Sequence, residues 1–159
     1  MRNLIAASAM TCAMTCAMTV AALPVLAAQD EMVMTRSPHD VATTMDRLEA
    51  AVTGAGAMVV ARVDHAAAAQ GADMVLAPNQ VLIFGNPAIG TPAMQNNPLA
   101  GLVLPLRVVA YEDQDGQTWL VYHDPEEMLE DLDGVSDDAA YIAAMAGALA
   151  KLTAQAVAE

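Results

Sequence analysis

Leu106-Arg107-Val108-Val109-Ala110-Tyr111 and Gln117-Thr118-Trp119-Leu120-Val121-Tyr122 are two apolar runs separated by Glu112-Asp113-Gln114-Asp115-Gly116. β-branched and aromatic residues fill both runs, and Asp-Gly supplies the backbone freedom that a tight reversal needs. Five connecting residues are too few for a parallel crossover, so the pair is an antiparallel hairpin. The apolar run begins earlier, at Leu102, and contains Pro105. Proline cannot donate to a ladder, so Pro105 marks an edge strand, a bulge or a strand that begins near Leu106.

Outward from the hairpin, Asn79 to Phe84 reads as a buried strand closed by Gly85-Asn86-Pro87. Ala88 to Gly101 holds Gly90, Pro92, Pro98 and paired Asn96-Asn97, and reads as a loop with at most one helical turn after Thr91. Ala57 to Val63 is a short strand, and Met32 to Ser37 alternates weakly enough to be a first one. Asp40 caps a helix with Val41, Met45, Leu48 and Val52 on one face, ended by Gly54 and Gly56. Ala66–Ala69 is a short helical piece stopped by Gly71, and Pro125 to Leu132 a short acidic helix. Ser136 is placed to cap a last helix whose apolar face is Ile142, Met145, Ala146, Leu149 and Leu152. The expected fold class is α+β: a small mixed or antiparallel sheet with helices packed on it, in a single domain.

The chain has 159 residues and room for one domain of ordinary size. With 56% hydrophobic residues it can bury a core, which excludes a disordered chain. A net charge of -13 excludes a general nucleic-acid binder, which needs a basic face. Residues 1–27 read as an export signal: Arg2, an apolar charge-free stretch from Leu4 to Leu26, and small residues around Val25-Leu26-Ala27. Thr and Cys interruptions favour a cleaved signal over a membrane anchor, so a periplasmic or secreted protein with no stable membrane association is expected. Residues 28–36 form an N-terminal segment or first strand, and 37–157 the domain. Both cysteines, Cys12 and Cys16, leave with the signal, which excludes disulfides and thiolate chemistry from the remainder.

Four stretches resemble a bacterial family known as domain-of-unknown-function family 302. They are Ala61-Arg62-Val63-Asp64-His65-Ala66; Leu76-Ala77-Pro78; Leu82-Ile83-Phe84-Gly85-Asn86-Pro87 with Gly90-Thr91-Pro92 and Met94; and Leu104-Pro105-Leu106-Arg107 with Tyr111-Glu112-Asp113 and Asp115-Gly116. Val103 and His123 depart from the family's usual residues. The resemblance implies a small α+β fold that associates as a homodimer, and it assigns no biochemical role.

The Gly85–Met94 segment is the leading candidate site. A Gly-Asn-Pro turn leaving a buried strand can present backbone N–H groups and an amide to an anion or a polar small molecule. The same residues can instead take positive φ, with Asn86 tying the turn to itself. Candidate ligand-binding residues are His65, Gly85, Asn86, Pro87, Gly90, Thr91, Met94 and Arg107. Asp64-His65 suggests an oriented imidazole, although neighbouring strand residues face opposite ways and no nucleophile accompanies it. Arg107 can pair with the acidic hairpin or reach a ligand carboxylate.

A Cu(I) site built from Met32, Met34 and His39, with Met94 and His65 further off, competes with methionine as core filler in a chain that is 3% aromatic. The acids of the C-terminal third lack the ligand spacing of an EF-hand loop and read as a solvated face. No cofactor, metal set or catalytic residue is assigned. The expected role is a non-catalytic small-ligand-binding or interaction module. The alternatives are a small enzyme using His65 with Asn86 and Arg107 on a polar substrate, or a Cu(I)-binding protein using Met and His.

Overall fold

Gly116 turns the hairpin at φ 76°, a conformation open to glycine at no steric cost. Its flanks pair antiparallel from Glu112 against Thr118 to Val109 against Val121. These are strands β4 (Leu106–Glu112) and β5 (Thr118–His123) of a computed structural model that describes residues 31–136 and 138–159. The export signal lies outside the described residues. The other elements are β1 (Met32–Ser37), α1 (Val41–Gly54), β2 (Met58–Asp64), α2 (His65–Gln70), β3 (Asn79–Gly85), α3 (Pro87–Asn96), a 3-10 turn (Pro98–Leu102), α4 (Pro125–Leu129) and α5 (Ala140–Ala156).

The five strands form one sheet in the order β1-β5-β4-β3-β2, with every neighbour antiparallel. Alternation puts Leu82, Phe84, Val108, Ala110, Leu120 and Tyr122 on one face, where α1 and α5 cover them with Met45, Leu48, Val52, Leu149 and Leu152. A second cluster gathers Ala93, Ala100, Leu104, Leu129, Ile142 and Met145. It joins α3, the 3-10 turn and α4 to the N-terminal half of α5. Val81, Ile83, Val109 and Met34 point to the opposite face and belong to neither cluster. This is the expected α+β domain, with α1 and α5 covering the main cluster on one side of the sheet. No helix among the described residues is long and apolar enough to cross a membrane.

Three expectations need correction. Ala88–Gly101 is helical, not a loop: Asn86 accepts a hydrogen bond from Ala88 N at 3.0 Å as N-cap, and Pro87 occupies the first helical position. Proline is tolerated there because the N–H it lacks has no partner in a helix. Pro92 does sit inside α3, and burial of Ala93 against the second cluster holds the helix together around it. Pro105 follows the last of its three readings, a strand that begins near Leu106, and not the edge or the bulge. Its peptide bond is cis, β4 begins at Leu106, and the strand lies in the interior between β5 and β3. Ser136 does not cap the last helix: its hydroxyl donates to Asp138, and α5 begins at Ala140 with no side-chain cap. The acidic α4 stops at Leu129, earlier than its composition suggests.

The hairpin turn carries its own lock. Asp113 Oδ1 accepts from Asp115 N and Gln117 N at 3.0 and 2.9 Å, and Oδ2 accepts from the indole of Trp119 at 2.8 Å. Arg36 on β1 lies over the Trp119 ring at 5.5 Å and donates to Gln117. The Trp119 hydrogen bond, helped by the two backbone donors, holds the Asp113 carboxyl below the usual carboxylate range. A carboxyl held low in the folded state favours folding fully above its unfolded pKa, about 4, and loses that contribution as pH falls through the folded value. Trp119 is the chain's one tryptophan, so its fluorescence should report the loss on acidification. Asp113→Asn should move that acid transition toward neutral pH or remove it; an unchanged transition would place the sensitivity elsewhere.

Candidate functional site

β3 ends at Gly85, and the chain turns sharply into α3 beside the cis peptide before β4. The space left between these ends, α3 and α5 is a cleft of about 420 Å³. Phe84, Pro105 and Leu106 line it from the sheet ends, Ile89, Thr91 and Met94 from α3, Met145, Ala148, Lys151 and Leu152 from α5, and Met58 and Val60 from β2. Glycines stand at its wall, with room for no more than a methyl in ordinary contact. A Cβ on Gly85 would stand 3.5 Å from that of Pro105, and one on Gly101 would stand 3.7 Å from the Met94 sulfur. No Asp or Glu borders the cleft, in a chain with 19 of them. The polar side chains at its edge are Asn86, Thr91 and Lys151.

Six of the eight candidate residues meet here: Gly85, Asn86, Pro87, Gly90, Thr91 and Met94. The chemistry expected of them is different. Asn86 has φ -124°, and Gly85 is not among the positive-φ glycines, so neither adopts the left-handed turn. The Asn86 side chain caps its own helix, and its carbonyl accepts from Ile89 N and Gly90 N at 2.9 Å each. Pro87 has no N–H. The backbone N–H groups of Ala88, Ile89 and Gly90 are therefore spent inside the turn and form no cradle for an anion. What it contributes is shape: it frames an apolar recess.

The other two candidates lie elsewhere. Asp64 pairs with Gln80 across β2 and β3, at the opposite end of β3 from Gly85, a separation of about 17 Å along the strand. Asp64 caps α2 through Ala67 N and accepts from Gln80, while His65 is exposed in the first turn of α2. Arg107 points to the face opposite α1 and α5 and donates to the Leu102 carbonyl at 2.9 Å, not to the acidic hairpin. His65, Asn86 and Arg107 thus do not converge, and the enzyme constellation built on them is absent from the structure.

The copper candidates also scatter. Met32 and Met34 are exposed on edge strand β1, Met94 borders the cleft, and His39 Nε2 lies 3.0 Å from the Ala158 carbonyl. Among the described residues no three His, Cys, Asp or Glu side chains are placed to share a metal ion. In the acidic region Glu127 is pushed above the usual carboxylate range, first by the charge of Glu130 and then by partial desolvation.

Sequence reasoning missed the α5 wall. Met145 and Leu152 were legible as a core face, but nothing in the pattern said that Ala148 and Lys151 border an opening. The sole lysine of the chain was the available signal.

The family described as "Domain of unknown function DUF302" matches residues 33–154. The chain belongs to the DUF302 family. An uncharacterized conserved DUF302 protein from Bacillus stearothermophilus has a similar crystal structure, with a TM-score of 0.63 at 19% identity, over 80% of this chain and 95% of that one. That likeness is one of fold. Among curated proteins, the "Fluoride-specific ion channel FluC 1" of Brucella suis is 40% identical over 117 residues, 73% of this chain and 46% of that protein. The protein of the same description in Brucella abortus is 40% identical over 117 residues, 43% of its length. This DUF302 chain spans less than half the length of those relatives.

Proposed function

We propose that this DUF302 protein is an exported, non-catalytic binding module whose cleft beside the Phe84–Pro87 turn takes an apolar small molecule. The observation that carries the proposal is the 420 Å³ cleft with apolar walls, framed by six residues that the sequence singles out. Ligand sites commonly have volumes of about 300–1,000 Å³, apolar linings and a few polar groups. Scattering of His65, Asn86 and Arg107 favours binding over catalysis.

Fluoride belongs to the names of the longer relatives. A small, strongly hydrated anion gains nothing from apolar walls, so the cleft gives fluoride no support. Mass spectrometry of small molecules that co-purify with the protein exported in its native host tests the binding role. The expected result is an enriched compound with an apolar body, whose addition shifts the methyl signals of Met58, Met94 and Met145 but not those of Met32 and Met74. A ligand that leaves all three cleft methionines unmoved would overturn the assignment of the site.

Self-association is the second part of the proposal. The sheet face opposite α1 and α5 carries exposed Met34 and half-buried Val81, Ile83 and Val109, and the segment before β3 exposes Val75 completely and Met74 by 64%. Exposed apolar side chains such as these favour burial in a partner, here a second copy. Light scattering should give twice the chain mass at micromolar concentration, and Val109→Asp should return it to the monomer mass. A monomer throughout would refute the dimer and leave the cleft untouched.

A further inference from the structure

The four arginines of the described chain are all occupied. Arg36 donates to Gln117, Arg47 to the carbonyls of Ala156 and Ala158, and Arg107 to that of Leu102. Arg62 pairs with Asp46 and Glu49 at 2.6 and 3.2 Å. Among the described lysine and arginine residues, Lys151 alone has no hydrogen-bond or ion-pair partner. It is exposed on α5, yet it borders the cleft.

Its position along the helix matters. Met145, Ala148 and Lys151 follow one another at helical spacing on the cleft side of α5, so Lys151 lies about 9 Å along the axis from Met145. Met145 belongs to the buried cluster with Leu104 and Ala93 at the inner end. The cleft therefore grades from a buried apolar end to a rim with one cation, and no carboxylate lines it to cancel that charge. In a protein so acidic, an acid-free opening marked by the only lysine selects for a particular polarity of ligand.

We infer that the ligand is an anionic amphiphile, a carboxylate on a flexible apolar chain, with its tail packed toward Met145 and Met94 and its head at Lys151. This rests on the cleft being the binding site, and it adds the class of ligand. The tail supplies most of the affinity through burial. The head supplies orientation and selectivity, because a charged contact near solvent contributes modestly.

Decanoate, decanol and decyltrimethylammonium share a tail and differ in the head, and titrations below their aggregation thresholds separate the two contributions. Wild-type protein should prefer decanoate to decanol by about fivefold, with the cation weakest. Lys151→Met, which keeps the stem and removes the charge, should bind decanoate and decanol equally, whereas Lys151→Arg should retain the preference. Methyl signals of Met58, Met94 and Met145 localise each ligand. If decanol matches decanoate in wild type, or Lys151→Met keeps the preference, the head-group inference is wrong and the cleft assignment stands. If none of the three binds, or binding leaves the cleft methionines unmoved, the cleft assignment itself fails.

Discussion

Leu120→Ala should destabilise the protein by about 2–5 kcal/mol, the range for truncating a fully enclosed leucine. Leu120 is 0% exposed. It sits at the middle of β5, opposite Ala110 on β4 and Thr35 on β1, and points into the cluster of Leu48, Leu82, Val108 and Leu149. Neighbours fixed in ladders on both sides leave little scope for collapse, so the cavity should persist and the upper part of the range is expected. Urea unfolding should show a midpoint lowered by about 1–2 M with an unchanged slope. Val75→Ala is the matching control: Val75 is 101% exposed and its loss should change stability by less than about 0.5 kcal/mol. Similar effects from both substitutions would mean that the core is not where the structure puts it.

Ala148→Phe should abolish ligand binding while sparing the fold. Ala148 is only partly buried, and its methyl faces the cleft between Met145 and Lys151. A benzyl group there occupies the space that a ligand tail would take. Affinity for decanoate should fall at least tenfold, about 1.4 kcal/mol, and addition of the ligand should no longer move the Met94 and Met145 methyl signals. The thermal midpoint should stay within a few degrees of wild type, since the added ring fills a void instead of displacing packed atoms. Unimpaired binding by this variant would show that the ligand sits elsewhere.

Strands and the first helix were legible because their signals are local. The Asp-Gly turn, the Asp40 cap and the Val41-Met45-Leu48-Val52 stripe each state their conformation within a few residues, and each is realised. Ala88–Gly101 misled because glycine and proline weaken a helix on average, whereas here Asn86 and Pro87 start it and tertiary burial of Ala93 sustains it. Ser136 misled for the opposite reason: a good cap residue was present, but its hydroxyl found Asp138 first. The site was half readable. Gly85, Asn86, Pro87, Gly90, Thr91 and Met94 announce a turn and a short helix, and the cleft is there. Its far wall is α5, which begins more than forty residues later, and no local pattern links Lys151 to Met94. His65 and Arg107 share the site's residue types but not its place: the sheet register puts His65 at the far end of β3, and strand alternation turns Arg107 to the face opposite its cleft-lining neighbour Leu106.

β1 lies at the sheet edge beside β5, and the Arg36–Gln117 hydrogen bond that joins them spans 81 residues of chain. Contacts this distant in sequence form late and slow a chain's collapse to its final topology. During synthesis the first strand has no sheet neighbour until β5, which ends at His123 of 159 residues, has been made. Such a delay leaves the backbone donors and acceptors of β1 without a sheet neighbour longer than those of any other strand.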